Sequence, residues 1–280
     1  DLDVKPLPED ELQVVSTGQV STAISGAETV FSLNQKDAEK YLNRLQTLRK
    51  NYPEYLSNVL KVAKTLSGYK KPMIVHKPVF TGRYQEDGYV IEKYFVKGEG
   101  DYVIPYLLAI PKKPNGKAVI CLSLKGKSEE ISNDDLKWFE SRGFTVLAPD
   151  MLGVGELAHS NYNGDSFINS KSYSVWDLSI LIGRSIVGIR AVDVVRLVNM
   201  LRKDQQIKEV YGMARRTMCA PLLYAAAFDK SIKRICLINP LSSYRSFVMN
   251  RFYDPHFLYS TVADALKVYD LPDLEASLAP

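Results

Sequence analysis

The residues with the spacing for chemistry lie in the run 207–229. Residues 207–211 are strand-like, Gly212 follows, and an alanine-rich helix ends near Asp229. A strand, a tight turn and a helix carrying G-x-S-x-G hold a serine on a strained turn, where backbone N–H groups receive an oxyanion. Here the five positions read Gly212, Met213, Ala214, Arg215 and Arg216. The serine position is Ala214, and Arg216 stands for the second glycine. Counting back from the alanine helix shifts the register by two residues and puts Arg216 in the nucleophile position. Neither register supplies a serine or cysteine.

Thr217 and Cys219 are the nearest side chains with nucleophilic atoms. In the first register both fall inside the helix, so they are expected to face packing. A helix N-terminus lowers a thiol pKa, but cysteine more often packs as a small hydrophobe. The bases are few. His76 precedes Pro78 in an extended segment, and a structural role is expected for it. His159 follows the glycine-containing run 150–156, and His256 sits in the connection after Asn239. Both are weak candidates for a general base. The histidines are isolated in sequence, so no metal site is expected, and nothing calls for a cofactor.

Four cations fall near the expected mouth. Arg215 and Arg216 stand at a helix N-terminus, and Lys125 and Lys127 follow an apolar strand. Ligands of open α/β sheets bind beyond the carboxyl ends of the strands, and helix N-termini favour anions. The four are therefore expected to bind a carboxylate or phosphate, a uronate-bearing sugar among the candidates.

The positioning elements follow from periodicity. Residues 1–30 read as an extended arm or linker, and 31–280 as one domain. Helices are expected over 35–48 and from Pro53, as an α-hairpin with Asn34 and Asp37 as caps. Extended segments are expected at 73–80, 89–96 and 102–110, the last two joined by a glycine-containing turn as an antiparallel hairpin. Apolar strands at 118–124, 143–150, 207–211 and 234–239 then alternate with helices at 134–142, 176–201 and 217–228. This order predicts a mostly parallel, doubly wound α/β sheet.

Composition sets bounds. The 280 residues are 46% apolar with a formal net charge of +4. That length can bury a sizeable core, and that charge gives no case for nucleic acid. The three cysteines lie in or beside apolar runs and imply no disulfide framework. All three are expected to be buried thiols. No apolar run is long enough for a membrane span. The chain begins at Asp1, as a processed chain or a fragment would.

Several motifs agree with one family. The run 150–156 (Asp-Met-Leu-Gly-Val-Gly-Glu) resembles the D-x-x-G-x-G element of α/β-hydrolases. The run 183–193, with Gly183, Gly188, Arg190 and Asp193, is similar to a helix of the branch holding acetyl xylan esterases, dienelactone hydrolases and prolyl oligopeptidase-like proteins. Tyr244, Arg245 and Ser246 resemble later segments of that branch, as do the runs 269–274 and 278–280. The run 17–20 resembles the connector before a second module in large bacterial two-module proteins. The resemblance implies the α/β-hydrolase fold with a leading antiparallel hairpin. It also implies that the last strands, with the catalytic acid and histidine, would come after Pro280, leaving the domain incomplete at its C-terminus. A catalytically degenerate esterase-like module follows, structural or ligand-binding. Its implied partners are a preceding hydrolase module of the same polypeptide and an acidic or acetylated saccharide, in a periplasmic or secreted setting. Two alternatives stand. One is an active carbohydrate ester hydrolase with an atypical nucleophile, its oxyanion hole formed by N–H groups after Leu124 and at Arg215. The other is an interaction module that docks a partner hydrolase.

Overall fold

A computed structural model describes residues 5–86, 88–132, 134–158, 167–168, 171–204 and 206–278. Its first elements are two exposed single turns, α1 (Glu9–Leu12) and α2 (Val20–Ala23), where an extended arm is expected. Helix α3 (Val30–Leu48) begins five residues before the expected start. Thr29 and Ser32 cap it reciprocally, each side chain accepting from the other's backbone N–H, so Asn34 and Asp37 lie inside the helix. Helix α4 (Tyr52–Ser67) has Pro53 in its first turn. It ends in a Schellman motif: Gly68 takes φ 65° while Gly68 N–H and Tyr69 N–H reach the carbonyls of Thr65 and Lys64.

The strands then follow in the order the apolar runs predict. They are β1 (Val79–Gln85), β2 (Tyr89–Lys97), β3 (Val103–Pro111), β4 (Lys117–Leu122) and β5 (Thr145–Pro149), with α5 (Lys127–Ser132) and α6 (Asp134–Glu140) between the last two. The first strand starts later than expected because Pro78 has no N–H for the ladder. Beyond a two-residue ladder of β6 (Phe167–Ile168) with β7 (Lys171–Ser172) come α7 (Tyr173–Leu181), α8 (Ile186–Leu201), β8 (Glu209–Arg215), α9 (Cys219–Phe228), β9 (Ile232–Ile238), α10 (Tyr244–Val248) and α11 (Leu271–Ala276).

Seven strands share one sheet in the order β1-β2-β3-β5-β4-β8-β9. β1, β2, β3 and β5 pair antiparallel in succession, whereas β5, β4, β8 and β9 run parallel. β5 is buried at every position and β4 at all but Lys117, as strands covered on both faces must be.

Residues 176–201, expected as one helix, form two. Gly183 takes φ 70° at the end of α7, and the N–H groups of Gly183 and Arg184 return to the carbonyls of Ile180 and Ser179. Ser185 then caps α8, its Oγ accepting from Gly188 N–H at 2.9 Å. Gly188 packs on the end of α4, where a Cβ would fall 1.9 Å from the Ser67 carbonyl oxygen.

The run 269–274 closes the domain onto the α-hairpin. Asp273 receives two hydrogen bonds from Arg49 (2.9 and 2.7 Å) and one from the Tyr55 hydroxyl at 2.8 Å. Asp270 accepts from the backbone N–H groups of Tyr244 and Leu271. Tyr224 OH bonds both Tyr244 OH (2.9 Å) and Tyr269 OH (2.7 Å) in the core beneath.

Candidate functional site

Strand β8 places the site. Its ladder with β4 runs through Leu122 opposite Ala214, and its ladder with β9 runs through Ile238 opposite Arg215. Pairing on both sides keeps the chain extended as far as Arg215, so no turn forms at Ala214. Ala214 is 0% exposed within the sheet. The left-handed residue is Arg216, with φ 51°, opening a 3-10 turn (Arg216–Met218) that feeds α9. The elbow therefore lies at Arg216 and the first register is corrected by two residues. A non-glycine residue in that region costs about 1–3 kcal/mol and persists only where its surroundings enforce it. Gly212 has a different task from the first glycine of a turn. A Cβ there would lie 2.5 Å from Leu222 of α9, so the glycine lets the helix settle on the strand.

The four expected cations are each paired with a carboxylate. Arg216 Nη2 donates to Asp254 Oδ2 at 2.7 Å, with its guanidinium 5.8 Å from the Phe257 ring centre. Arg215 is held by Asp135 and lies 3.8 Å from Glu130. Lys127 is clasped by Asp150 and Glu156, and Asp150 also accepts from the backbone N–H groups of Lys127 and Glu156. Lys125 is exposed and sits 3.3 Å from Glu129. These carboxylates come from α5, α6, the turn after β5 and the segment after α10. This replaces the expected four-cation anion pocket.

The candidate nucleophiles separate. Cys219 opens α9, but its Sγ is buried and donates to the Ala214 carbonyl at 3.2 Å. Burial dominates the helix N-terminus and pushes the thiol up to about 12. Cys121 is likewise buried and raised by burial. Cys236, expected to be buried, is exposed because β9 ends the sheet. Thr217 is 2% exposed, yet it does not face only packing. It lines a cavity of about 20 Å³ with Leu124, Gly153, Val154, Arg190, His256 and Tyr259, and its Oγ1 has no hydrogen-bond partner.

His256 thus meets Thr217 at one cavity. Its Nδ1 lies 2.7 Å from Asp254 Oδ1, and its backbone N–H donates to the same oxygen at 3.0 Å. Burial raises the Asp254 carboxyl, but His256 and Arg216 more than offset this and leave it below the usual carboxylate range. No hydrogen bond joins Thr217 Oγ1 to the ring. His159 lies outside the described residues. His76 is half-buried ahead of β1, away from the cavity lining. Among the described residues no group of three or more metal-ligating side chains occurs.

Sequence reasoning missed two residues here. Arg190 is 2% exposed, and its Nε and Nη2 donate to the Leu152 carbonyl at 3.0 and 2.7 Å. Its Nη1 has no partner. Burial lowers the guanidinium to about 10, so it stays charged near neutrality. The available signal was an arginine amid Ile186, Val187, Ala191, Val192, Val194 and Val195, where an apolar residue is expected. The second is Asp254, whose signal was an acid two residues before a histidine.

Known structures share this fold. A proposed acetyl xylan esterase from Bacteroides fragilis superposes with a TM-score of 0.67 at 19% identity, covering 83% of this chain and 67% of its own. Acetyl xylan esterase 1 from Thermoanaerobacterium sp. gives 0.53 at 16% identity, over 82% of this chain and 78% of its own. An acetyl xylan esterase from Paenibacillus sp. R4 gives 0.52 at 17% identity, over 78% and 74%. At these identities the likeness is one of fold. No protein-family model matches the sequence, and no curated protein does.

Proposed function

The chain has the α/β-hydrolase fold, and we propose that it is a catalytically silent, ligand-binding member of that fold, related to the carbohydrate esterases. One observation carries the reading: the left-handed elbow position holds Arg216, whose guanidinium is fixed to Asp254. An arginine there offers no nucleophile. The ligand class that the resemblance suggests is an acidic or acetylated saccharide. Ester hydrolysis in a parent polypeptide then belongs to another module, the preceding one in the two-module arrangement.

A second reading has its own support. Thr217, His256 and Asp254 supply a hydroxyl, an imidazole and an orienting carboxylate around one cavity, the set of roles found in triad hydrolases. The open step is from Thr217 Oγ1 to the ring, which no hydrogen bond bridges.

A fluorophosphonate probe with intact-mass detection separates the two, followed by p-nitrophenyl acetate turnover. The silent reading expects no adduct and no hydrolysis above the uncatalysed rate, in the chain itself and in His256→Ala. A stoichiometric adduct on Thr217, lost in His256→Ala, overturns it in favour of the second reading.

A further inference from the structure

The cavity beside the elbow contains a charge to which no carboxylate is hydrogen-bonded among the described residues. Arg190 rises from α8 into the site and is almost fully buried. Its only hydrogen-bond acceptor among the described residues is a neutral carbonyl, that of Leu152. The nearest acid on its own helix, Asp193, is committed elsewhere. It accepts from Tyr102 OH at 2.6 Å and lies 3.6 Å from Arg196. Asp254 is engaged by Arg216 and His256, and Asp150 by Lys127. A buried cation without an opposite charge is strongly disfavoured unless something supplies one. A second orphan, Thr217 Oγ1, lines the same cavity and can donate.

We infer that the cavity bounded by Arg190, Thr217 and His256 is a binding site for a small carboxylate, such as formate, acetate or the carboxylate end of a larger ligand. The inference rests on the silent-module reading and names its ligand chemistry. Arg190 Nη1 and Thr217 Oγ1 are the two unmatched donors. Both donors line one small cavity of about 20 Å³. Gly153 forms one wall at φ 79°, where a Cβ would lie 3.3 Å from Arg190 Nη2, so the glycine keeps the guanidinium accessible. The Tyr259 ring, centred 5.5 Å from the guanidinium carbon, covers it. The Arg190–Leu152 bonds set the position of the charge and leave Nη1 for the ligand.

The test is calorimetric titration of the full chain with sodium formate, sodium acetate and the neutral isostere acetamide. Ionic strength is held constant across the three titrations. Thermal unfolding is followed in parallel. Formate and acetate are expected to bind saturably and raise the midpoint, and acetamide to do neither. Thr217→Val keeps the shape and removes the donor. It is expected to weaken acetate about tenfold to a hundredfold, the effect of losing one hydrogen bond to a charged group. Arg190→Lys is expected to abolish the binding if it folds, and the Thr217 variant decides the matter if it does not. Equal responses to acetate and acetamide, an unaltered affinity in Thr217→Val, or no saturable binding, with the cavity holding only water, each overturn the inference. A fluorophosphonate adduct on Thr217 sinks the silent reading alone, since acetate would then bind as a hydrolysis product. Absent acetate binding without an adduct sinks this inference alone.

Discussion

Arg216 Nη2 lies 2.7 Å from Asp254 Oδ2, and Asp254 Oδ1 lies 2.7 Å from His256 Nδ1. One carboxylate therefore holds the elbow residue and orients the only imidazole that lines the cavity among the described residues. An acid that orients a histidine is one part of a triad. Here the same acid also holds the guanidinium of Arg216, the residue on the left-handed turn after β8.

The placement of the elbow predicts opposite outcomes for two serine substitutions. Arg216→Ser puts a hydroxyl on the left-handed turn at the mouth of the sheet and releases Asp254. It is expected to gain reactivity towards a fluorophosphonate, read as an adduct on the substituted position. Ala214→Ser buries a hydroxyl inside the sheet, where it reaches neither mouth nor water. No adduct is expected, and stability falls by about 1–3 kcal/mol in urea unfolding. Labelling of the Ala214 variant, with none in the Arg216 variant, restores the earlier register.

The elements were legible because each apolar run in β4, β5 and β8 is covered on both faces or nearly so, and such runs read as strands without their context. The Asp150, Gly183 and Tyr269 segments carried the fold resemblance. The exact elbow was not legible, since Gly212 serves close helix packing against Leu222 and only looks like the first glycine of a turn. Pairing of β8 on both sides, a long-range fact, sets where the strand ends. The anion pocket failed for a similar reason. Four cations cluster in sequence near the mouth, but their partners Asp135, Glu156 and Asp254 come from separate parts of the chain: α6, the turn after β5 and the segment after α10. Arg190 was visible as a charge inside an apolar helix, and only the structure shows that one of its nitrogens stays unmatched.

The three thiols are expected to differ sharply in reactivity. Iodoacetamide at pH 8 under native conditions should alkylate Cys236 on the edge strand and leave Cys121 and Cys219 unmodified, as peptide mapping would show. Cys219 is the informative one. A helix N-terminus favours a thiolate, but burial raises this thiol to about 12 and its Sγ is already engaged with the Ala214 carbonyl. Native-state alkylation of Cys219 at a rate near that of Cys236 would show an accessible thiolate and reopen it as a nucleophile.

Asp193 gives the fold a pH dependence with a definite sign. Its carboxyl is fully buried on α8, accepts from Tyr102 OH, and lies 3.6 Å from Arg196 Nε. Burial is the largest influence and raises it from 3.8 to about 6. In the unfolded chain it returns to its ordinary value near 3.9. Between these two values the folded state holds a proton that the unfolded state has lost. Unfolding then releases a proton, and the contribution of this group to stability falls as pH rises through about 6. The window is worth about 3 kcal/mol at roughly 1.4 kcal/mol per unit. Glu99, held low chiefly by its hydrogen bond from Arg184, favours the opposite trend, so the raw stability curve mixes the two. Asp193→Asn removes one titration and leaves the other. The stability of the unaltered chain minus that of Asp193→Asn, from urea unfolding at pH 4 to 7.5, should decline by up to about 3 kcal/mol and level off above pH 7. A difference that is flat, or that grows with pH, would mean that the Arg196 and Tyr102 contacts outweigh burial and keep Asp193 ionised throughout.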